Sequence, residues 1–280
     1  MLAYRHAFHA GNHADVLKHC VLMLVLEHLN GKDKAYRFVD THGGAGGYSL
    51  EGRYAQKKGE FEQGIARLWG RADLPPVVAR YVELVRRFNP DGVLRQYPGS
   101  PALALQLLRP QDQLRAFELH PTEQKILRAT LADAANASAI DGDGFAGLAS
   151  QLPPPSRRGA VLIDPSYEGN RDYARVVATL RPALERFAGG VFLVWHPLVS
   201  KLEAVQLPRR LEALATHAWL HARLTVQRPD ARGFGLAGSG VFVCNPPHTL
   251  AAQLAETLPW LVDALGQYDG AHFALDRFDG

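Results

Sequence analysis

The residues best suited to chemistry are the four at positions 164–167, Asp-Pro-Ser-Tyr, which directly follow the apolar run at 160–163. An amine on an aromatic ring is a poor nucleophile because its lone pair is delocalised into the ring. Hydrogen bonds from its two N–H groups, one to the Asp164 carboxylate and one to the Pro165 carbonyl, would favour a pyramidal nitrogen. Tyr167 could stack on the ring and hold the amine in line with a sulfonium methyl group. The motif predicts methyl transfer to an exocyclic amine, although a strand ending in a turn with a core tyrosine would have a similar sequence.

A glycine-rich segment, Asp-Thr-His-Gly-Gly-Ala-Gly-Gly-Tyr at 40–48, follows a second strand-like run. Glycines allow a backbone to approach a ligand at positions where a Cβ atom would collide with it. The spacing does not match the phosphate-binding loop of Walker-type NTPases. The segment therefore predicts a cofactor-binding corner, although nucleotide-phosphate loops have similar sequences.

Two acidic positions could complete such a site. Glu118 ends the run at 114–118, and an acid at the end of the second strand commonly binds the ribose hydroxyls of an adenosine cofactor. Asp143, within Asp-Gly-Asp-Gly-Phe at 141–145, follows the place where a third strand should end, so it could bind the adenine edge. Each acid alone is equally typical of a protein surface or a plain turn.

The elements that must position these residues alternate between short apolar runs and helix-like stretches. The runs lie at 36–40, 114–118, 160–164 and 191–195, with a later pair at 218–227 and 240–244. Such runs predict a largely parallel sheet covered on both faces. The segment 50–96 interrupts the alternation with predicted helices at 59–69 and 75–88, so we interpret it as a helical insertion within one domain spanning 1–280. At the point where the pattern resumes, Ser100 is predicted to be an N-cap, with Pro101 as the first helical residue.

The composition is that of a soluble globular protein, with 47% hydrophobic and 21% charged residues among 280 and a formal charge of +3. This mild basicity is compatible with nucleic acid but does not require it. The two cysteines, Cys20 and Cys244, match no zinc or redox spacing and are expected to stay reduced. The chain shows no signal peptide and no apolar run that would span a membrane, so we expect a cytoplasmic protein.

The order of these motifs resembles that of the Rossmann-like class I methyltransferases, with a variant of the D-P-P-Y motif used for exocyclic amines. More narrowly, residues 4–19 (Tyr-Arg-His-Ala-Phe-His-Ala-Gly-Asn-His-Ala-Asp-Val-Leu-Lys-His) resemble the opening of the ribosomal RNA large subunit methyltransferase J family. Segments 40–42, 97–101, 118–121 and 157–159 resemble it too, so the likeness covers nearly the whole chain. It implies an α/β fold with a mostly parallel seven-stranded sheet. It also implies methylation of N6 of an adenine in 23S ribosomal RNA, with S-adenosylmethionine becoming S-adenosylhomocysteine and no metal required.

The resemblance also implies roles for individual residues. The S-adenosylmethionine site would be lined by His19, His42, Ser100, Glu118, Asp143, Gly144 and Asp164. Asp164 would be the catalytic acceptor, with Pro165 and Tyr167 beside it, while Tyr4 and Lys18 would lie toward the RNA. We expect a monomer whose partner is 23S ribosomal RNA, with no membrane association. The chain departs from the family at Ser166, where proline is usual, and at Gly44, where alanine is common.

Other functions remain open at this stage. DNA adenine could replace RNA as the substrate, because the contacts that distinguish a 2′-hydroxyl are not apparent in a sequence. A non-catalytic RNA-binding protein with a decayed site is a second alternative. The histidines at 6, 9, 13 and 19 suggest a metal-dependent hydrolase, but no zinc-type spacing accompanies them. The Asn-Pro-Pro-His motif at 245–248 resembles an amine-methyltransferase motif, yet it has histidine in place of the stacking aromatic, so we interpret it as a strand terminus.

Overall fold

The computed structural model describes residues 6–215, 217–228 and 235–280, and its centre is an eight-stranded sheet. The strands of this sheet are β1 (Arg37–Asp40), β4 (Gln113–Glu118), β5 (Ala137–Asp141), β6 (Gly159–Ile163), β7 (Val191–Leu198), β8 (Trp219–Thr225), β9 (Gly238–Cys244) and β10 (His272–Phe278). Two further strands, β2 (Gly47–Ser49) and β3 (Gln96–Pro98), form a separate antiparallel pair.

The order of the large sheet is β10-β8-β9-β7-β6-β1-β4-β5. The strands from β5 across to β7 are parallel, while β9, β8 and β10 run antiparallel to their neighbours. The expected α/β class I methyltransferase fold is therefore confirmed. The expected count of seven strands is wrong, because β10 adds an eighth at the edge. Most of the side chains of β10 are exposed, so its sequence lacks the apolar run that marks the central strands.

The central strands are buried on both faces, so consecutive side chains enter different cores. On β6, Ala160 and Leu162 join one apolar cluster, whereas Val161 and Ile163 join the other. Because side chains alternate along a strand, a run that must fill two cores is apolar at every position. The packing thus accounts for the continuous runs in the sequence.

Helices cover both faces of the sheet. They are α1 (His13–Asn30), α2 (Arg53–Lys58), α3 (Ala66–Trp69), α4 (Pro76–Arg87), α5 (Ser100–Leu105), α6 (Pro121–Thr130), α7 (Gly144–Gly147), α8 (Asn170–Arg186), α9 (Leu202–Glu212) and α10 (Leu250–Leu265). The first of them, α1, begins at the Asn12 cap, whose side chain accepts hydrogen bonds from two first-turn amides, and it is buried along most of its length. Among the described residues, no helix is both long enough and apolar enough to cross a lipid bilayer.

Residues 50–96 contain helices, as the sequence predicts, but one boundary differs. The helix expected at 75–88 is present as α4, whereas the helix expected at 59–69 is broken into a 3-10 turn at 60–63 and the short α3. Gly59 adopts a left-handed conformation (φ +59°), and a Cβ atom on Gly64 would lie 2.0 Å from the Gly11 carbonyl oxygen. Gly59 allows a turn and Gly64 allows a close backbone contact, and a continuous helix would permit neither.

Candidate active site

A cavity of about 840 Å³ lies at the carboxyl ends of β1, β4, β5 and β6. The chain leaves β1 toward β4 on one side and later returns to β6 on the other, so the strand order reverses here. Open α/β sheets bind ligands at such a point. The cavity wall includes every residue expected to bind the cofactor, namely His19, His42, Ser100, Glu118, Asp143, Gly144 and Asp164.

The glycine-rich loop after β1 is held against the end of β4. The Gly43 amide donates to the Phe117 carbonyl (2.7 Å), and the Gly44 amide donates to Oε2 of Glu118 (2.9 Å). Gly44 has φ +58°, and a Cβ atom there would lie 2.1 Å from the Tyr48 hydroxyl oxygen. Alanine, which the resemblance predicts at this position, would require the Tyr48 ring to move. Glycine at position 44 therefore leaves room for the Tyr48 hydroxyl at the cavity wall.

Glu118 presents a fixed carboxylate to the cavity. Its Oε1 accepts from the His120 amide (2.6 Å), while Oε2 accepts from the Gly44 amide. Burial raises the pKa of Glu118 above its ordinary value, although these two amide hydrogen bonds act in the opposite direction. Each oxygen retains a further lone pair. The side chain can therefore accept additional hydrogen bonds from a ligand hydroxyl without a change of rotamer.

The loop after β5 supplies an aromatic wall. Asp143 caps α7 by accepting from the Phe145 amide (3.0 Å), and its other oxygen pairs with Arg175. The Arg175 guanidinium lies 4.3 Å from the centre of the Phe145 ring, and the His42 ring contacts that ring edge to face at 4.7 Å. Gly144 is required because a Cβ atom there would lie 1.9 Å from the Thr41 carbonyl oxygen. Phe145 and Arg175 also line the cavity, although no sequence pattern marked either of them as a site residue.

Ser100 has a different role from the helix cap predicted for it. The N-cap of α5 is Gly99, and Ser100 is the first helical residue. Its hydroxyl donates to Oδ2 of Asp40 (2.6 Å), whose other oxygen accepts from the His42 amide. Complete burial raises the pKa of Asp40 to about 6. Because the single hydroxyl proton of Ser100 is directed at Asp40, its backbone amide is the donor that it can offer to a ligand.

Asp164, at the end of β6, is held by a buried ion-pair network. Its Oδ2 lies 2.6 Å from Nζ of Lys18, which also lies 2.8 Å from Oδ1 of Asp15. Asp15 in turn accepts from the Gly11 amide and contacts the His6 ring, both at 2.9 Å. Burial alone would lower the pKa of Lys18, but Asp15 and Asp164 raise it well above its ordinary value. Lys18 is therefore a buried ammonium that fixes one oxygen of Asp164.

Lys18 and Tyr167 make contacts that the sequence did not predict. Lys18 lines the cavity and contacts two carboxylates, Asp15 and Asp164, so its expected contact with RNA stays a prediction. Tyr167 has φ +51°, its buried ring packs against Tyr173 and Trp195, and its hydroxyl donates to the Trp195 carbonyl (2.7 Å). The cavity wall includes Pro165 and Ser166 but not Tyr167. Tyr4, the other residue expected to lie toward the RNA, is outside the described residues.

The family model described as "Ribosomal RNA large subunit methyltransferase D, RlmJ" matches residues 33–275. The chain belongs to this family. It is 45% identical to ribosomal RNA large subunit methyltransferase J of Escherichia coli (strain K12) over 261 residues, which cover 93% of each chain. The same identity extends over 266 residues of its namesake from Haemophilus influenzae, covering 95% of this chain and 94% of the relative. A crystal structure of a Legionella pneumophila protein superposes with a TM-score of 0.88 at 32% identity, covering 96% of this chain and 98% of that one.

Ser166, where the resemblance predicts proline, directly follows Asp164 and Pro165. Ser166 lines the cavity, yet the hydrogen bonds found among residues 6–215, 217–228 and 235–280 include none from its hydroxyl or its amide. A proline at this position would therefore remove no hydrogen bond seen within these ranges. The serine is best explained as a passive replacement.

Ser166→Pro is therefore expected to retain turnover within a few-fold of the unchanged protein. By restricting the unfolded chain, it should also raise the free energy of unfolding by ~0.4–1 kcal/mol. Ser166→Ala serves as the control and should be close to neutral in rate. Rates of methyl transfer to one RNA fragment, with denaturant unfolding curves, check both expectations. A parallel loss of about tenfold in both variants would show that the hydroxyl takes part in the reaction.

The Asn-Pro-Pro-His motif at 245–248 has a structural role. The Asn245 side-chain amide donates to the carbonyls of Ala188 and Gly190, both at 2.7 Å, and Asn245 is not part of the cavity wall. These bonds close the end of β9, as expected of a strand terminus. The N-terminal histidines are partly engaged by carboxylates: His6 pairs with Asp15 and His9 with Glu60. In the part of the chain that the structure describes, no three His, Cys, Asp or Glu side chains are grouped so as to hold a metal ion.

Proposed function

We propose that this protein transfers the methyl group of S-adenosylmethionine to N6 of an adenine in 23S ribosomal RNA. The observation that carries the proposal is the shared cavity, in which Asp164 stands at the end of β6 together with all the residues expected to bind the cofactor. We further propose that the chain is one methyltransferase domain, with residues 50–96 as a helical insertion.

The residues of the cavity fit an adenosine cofactor with an amino-acid tail. Glu118 has the free lone pairs needed to accept hydrogen bonds from two ribose hydroxyls. Adenine would lie near Asp143 and Phe145, which line the cavity together with the Arg175 guanidinium that covers part of the Phe145 ring. His19 is also part of the cavity wall, and its Nε2 is buried and has no hydrogen-bond partner among the described residues. A buried polar atom in this state calls for a ligand partner.

The chain's own contribution to the reaction is to orient and polarise the amine. The bound cofactor supplies an electrophilic methyl group on a sulfonium. Oδ2 of Asp164 accepts a hydrogen bond from the Lys18 ammonium, whereas Oδ1 accepts none from the described side chains and backbone amides. That oxygen and the Pro165 carbonyl would accept the two N6–H bonds. Asp164 would accept the proton that the amine nitrogen releases when it takes the methyl group, and would pass that proton to solvent.

Stacking of Tyr167 on the target base stays a prediction. In the arrangement described above, the ring is only 4% exposed and packs beneath the motif rather than in the cavity. Stacking would therefore require the 165–167 turn to open when the base enters.

Support for an RNA substrate comes from the names of the relatives, both of which are ribosomal RNA large subunit methyltransferases. In the direct test, the protein and radiolabelled S-adenosylmethionine are incubated separately with three substrates: 23S ribosomal RNA, protein-depleted precursor particles of the large ribosomal subunit, and duplex DNA. Each nucleic acid is then digested to nucleosides. Label in N6-methyladenosine from RNA alone supports the proposal. Label only in DNA would make the protein a DNA methyltransferase, and cofactor binding without transfer to either would indicate a non-catalytic RNA-binding protein.

Glu118→Ala is expected to weaken S-adenosylmethionine binding by ~2 kcal/mol or more, because two ribose hydroxyls lose a charged acceptor. The Gly44 amide also loses its partner, which acts in the same direction. Isothermal titration calorimetry measures the change. Asp141→Asn is the matched control, since this exposed carboxylate ends the neighbouring strand but is not part of the cavity wall. Equal affinities for Glu118→Ala and the unchanged protein would mean that the ribose lies elsewhere.

A further inference from the structure

Three buried polar side chains form a hydrogen-bonded chain that ends at the cavity wall. Nδ1 of His19, on α1, lies 2.8 Å from the Tyr97 hydroxyl, on β3. The Tyr97 hydroxyl lies 2.8 Å from that of Tyr81, on α4. All three residues have 0% exposure. The His19 and Tyr97 rings are nearly parallel, with an angle of 18° between their planes and 5.6 Å between their centroids.

The protons of this chain can be assigned by counting donors and acceptors. Each hydroxyl has one proton to donate, and Tyr97 is the one hydrogen-bond partner of the Tyr81 hydroxyl within the described ranges. If Tyr81 donates to Tyr97 and Tyr97 donates to Nδ1 of His19, both hydroxyl protons are used. If instead Nδ1–H donates to Tyr97, one of the two phenol protons has no acceptor. Leaving a buried donor unpaired is costly, so the first arrangement is favoured.

We propose that Tyr97, supported by Tyr81, holds neutral His19 with its proton on Nε2, so that the imidazole donates a hydrogen bond to the carboxylate of the cofactor's methionine portion. This inference rests on the proposed function and adds to it. Tyr81 and Tyr97 act as positioning residues, because neither lines the cavity. Tyr81 adds a hydrogen bond to the Tyr97 hydroxyl from α4, which lies within residues 50–96.

The chemistry of the Nε2–H donor and the place of His19 in the cavity indicate which group of the cofactor would accept this hydrogen bond. A neutral N–H can donate to a carboxylate but cannot accept from the ammonium of the same amino acid. His19 follows Lys18 on α1, and Lys18 holds Asp164, next to which the methyl group must be transferred. The amino-acid tail, which extends from the same sulfur, would therefore lie toward α1. Burial lowers the pKa of His19 to about 3, so the imidazole is neutral at physiological pH.

Nitrogen-15 NMR of histidine-labelled protein tests the tautomer directly, without any cofactor. The His19 signals are assigned by their loss in His19→Gln. We expect the pattern of an Nε2–H tautomer in the unchanged protein and a mixture of tautomers in Tyr97→Phe. An Nδ1–H tautomer in the unchanged protein would overturn the inference, whatever the behaviour of the variants.

Binding measurements test the consequence for the ligand. Tyr97→Phe should weaken S-adenosylhomocysteine binding about tenfold, the value of one hydrogen bond, and should leave 5′-methylthioadenosine, which lacks the amino-acid tail, within twofold. Tyr81→Phe is the matched control, because it removes a buried hydroxyl but leaves Tyr97 able to donate to His19; we expect a change below about threefold. If the unchanged protein binds neither ligand, the proposed function fails. If it binds S-adenosylhomocysteine and Tyr97→Phe binds it equally well, only the present inference fails.

Discussion

Asp164→Asn should lose at least about 100-fold in the rate of methyl transfer, the lower range for a positioned proton-accepting group. An amide keeps the shape of the side chain but has one oxygen and one NH₂ group. The Lys18 ammonium, 2.6 Å from the present Oδ2, would attract that single oxygen. The NH₂ group would then face the target amine, where a donor meets a donor. In this site, asparagine is therefore expected to be about as damaging as alanine.

Single-turnover rates with saturating cofactor measure this effect, and calorimetry with S-adenosylmethionine supplies the control. Cofactor affinity should change only a few-fold, because Glu118, His19 and the glycine loop remain in place. If Asp164→Asn kept turnover near that of the unchanged protein, Asp164 would not be the acceptor for N6–H. If it lost cofactor binding and rate in proportion, Asp164 would act in the cofactor site rather than on the amine.

The position of the site could be predicted from the sequence because its parts share a simple geometric property. The glycine loop, Glu118, Asp143 and Asp164 each follow an apolar run, and the carboxyl ends of parallel strands meet at one edge of a sheet. The runs are readily identified because strands that fill two cores are apolar at most positions, as β6 is. The same property explains why β10 was missed: its residues are mostly exposed, so no such run is present.

The electrostatic detail of the site could not be predicted in the same way. Lys18 and Asp164 are separated by 146 positions, and a single sequence carries no signal that pairs them. Lysine in an N-terminal motif is also typical of a phosphate contact, so the resemblance alone placed Lys18 toward RNA. The positive φ of Tyr167 is similarly invisible, because an aromatic residue rarely adopts it. These features depend on tertiary contacts rather than on local pattern.

The buried network around Lys18 makes that residue important for stability as well as for activity. Asp15 is 1% exposed, and both the His6 ring and the Lys18 ammonium contact its carboxylate. Burial alone would raise the pKa of Asp15, but His6 and Lys18 hold it well below its ordinary value. Removing one member of a buried ion pair leaves an uncompensated charge, which commonly costs several kcal/mol.

Lys18→Met is therefore expected to lower the free energy of unfolding by about 3 kcal/mol and to reduce turnover even where the protein stays folded. Urea unfolding followed by circular dichroism measures the first effect, and methyl transfer at a low temperature measures the second. The double variant Asp15→Asn/Lys18→Met is the matched control. It removes the unbalanced carboxylate and should recover much of the stability, but not the rate, because Asp164 still lacks its ammonium. A lysine that served only as an RNA contact would give another result: Lys18→Met would unfold like the unchanged protein, and only its RNA affinity would fall.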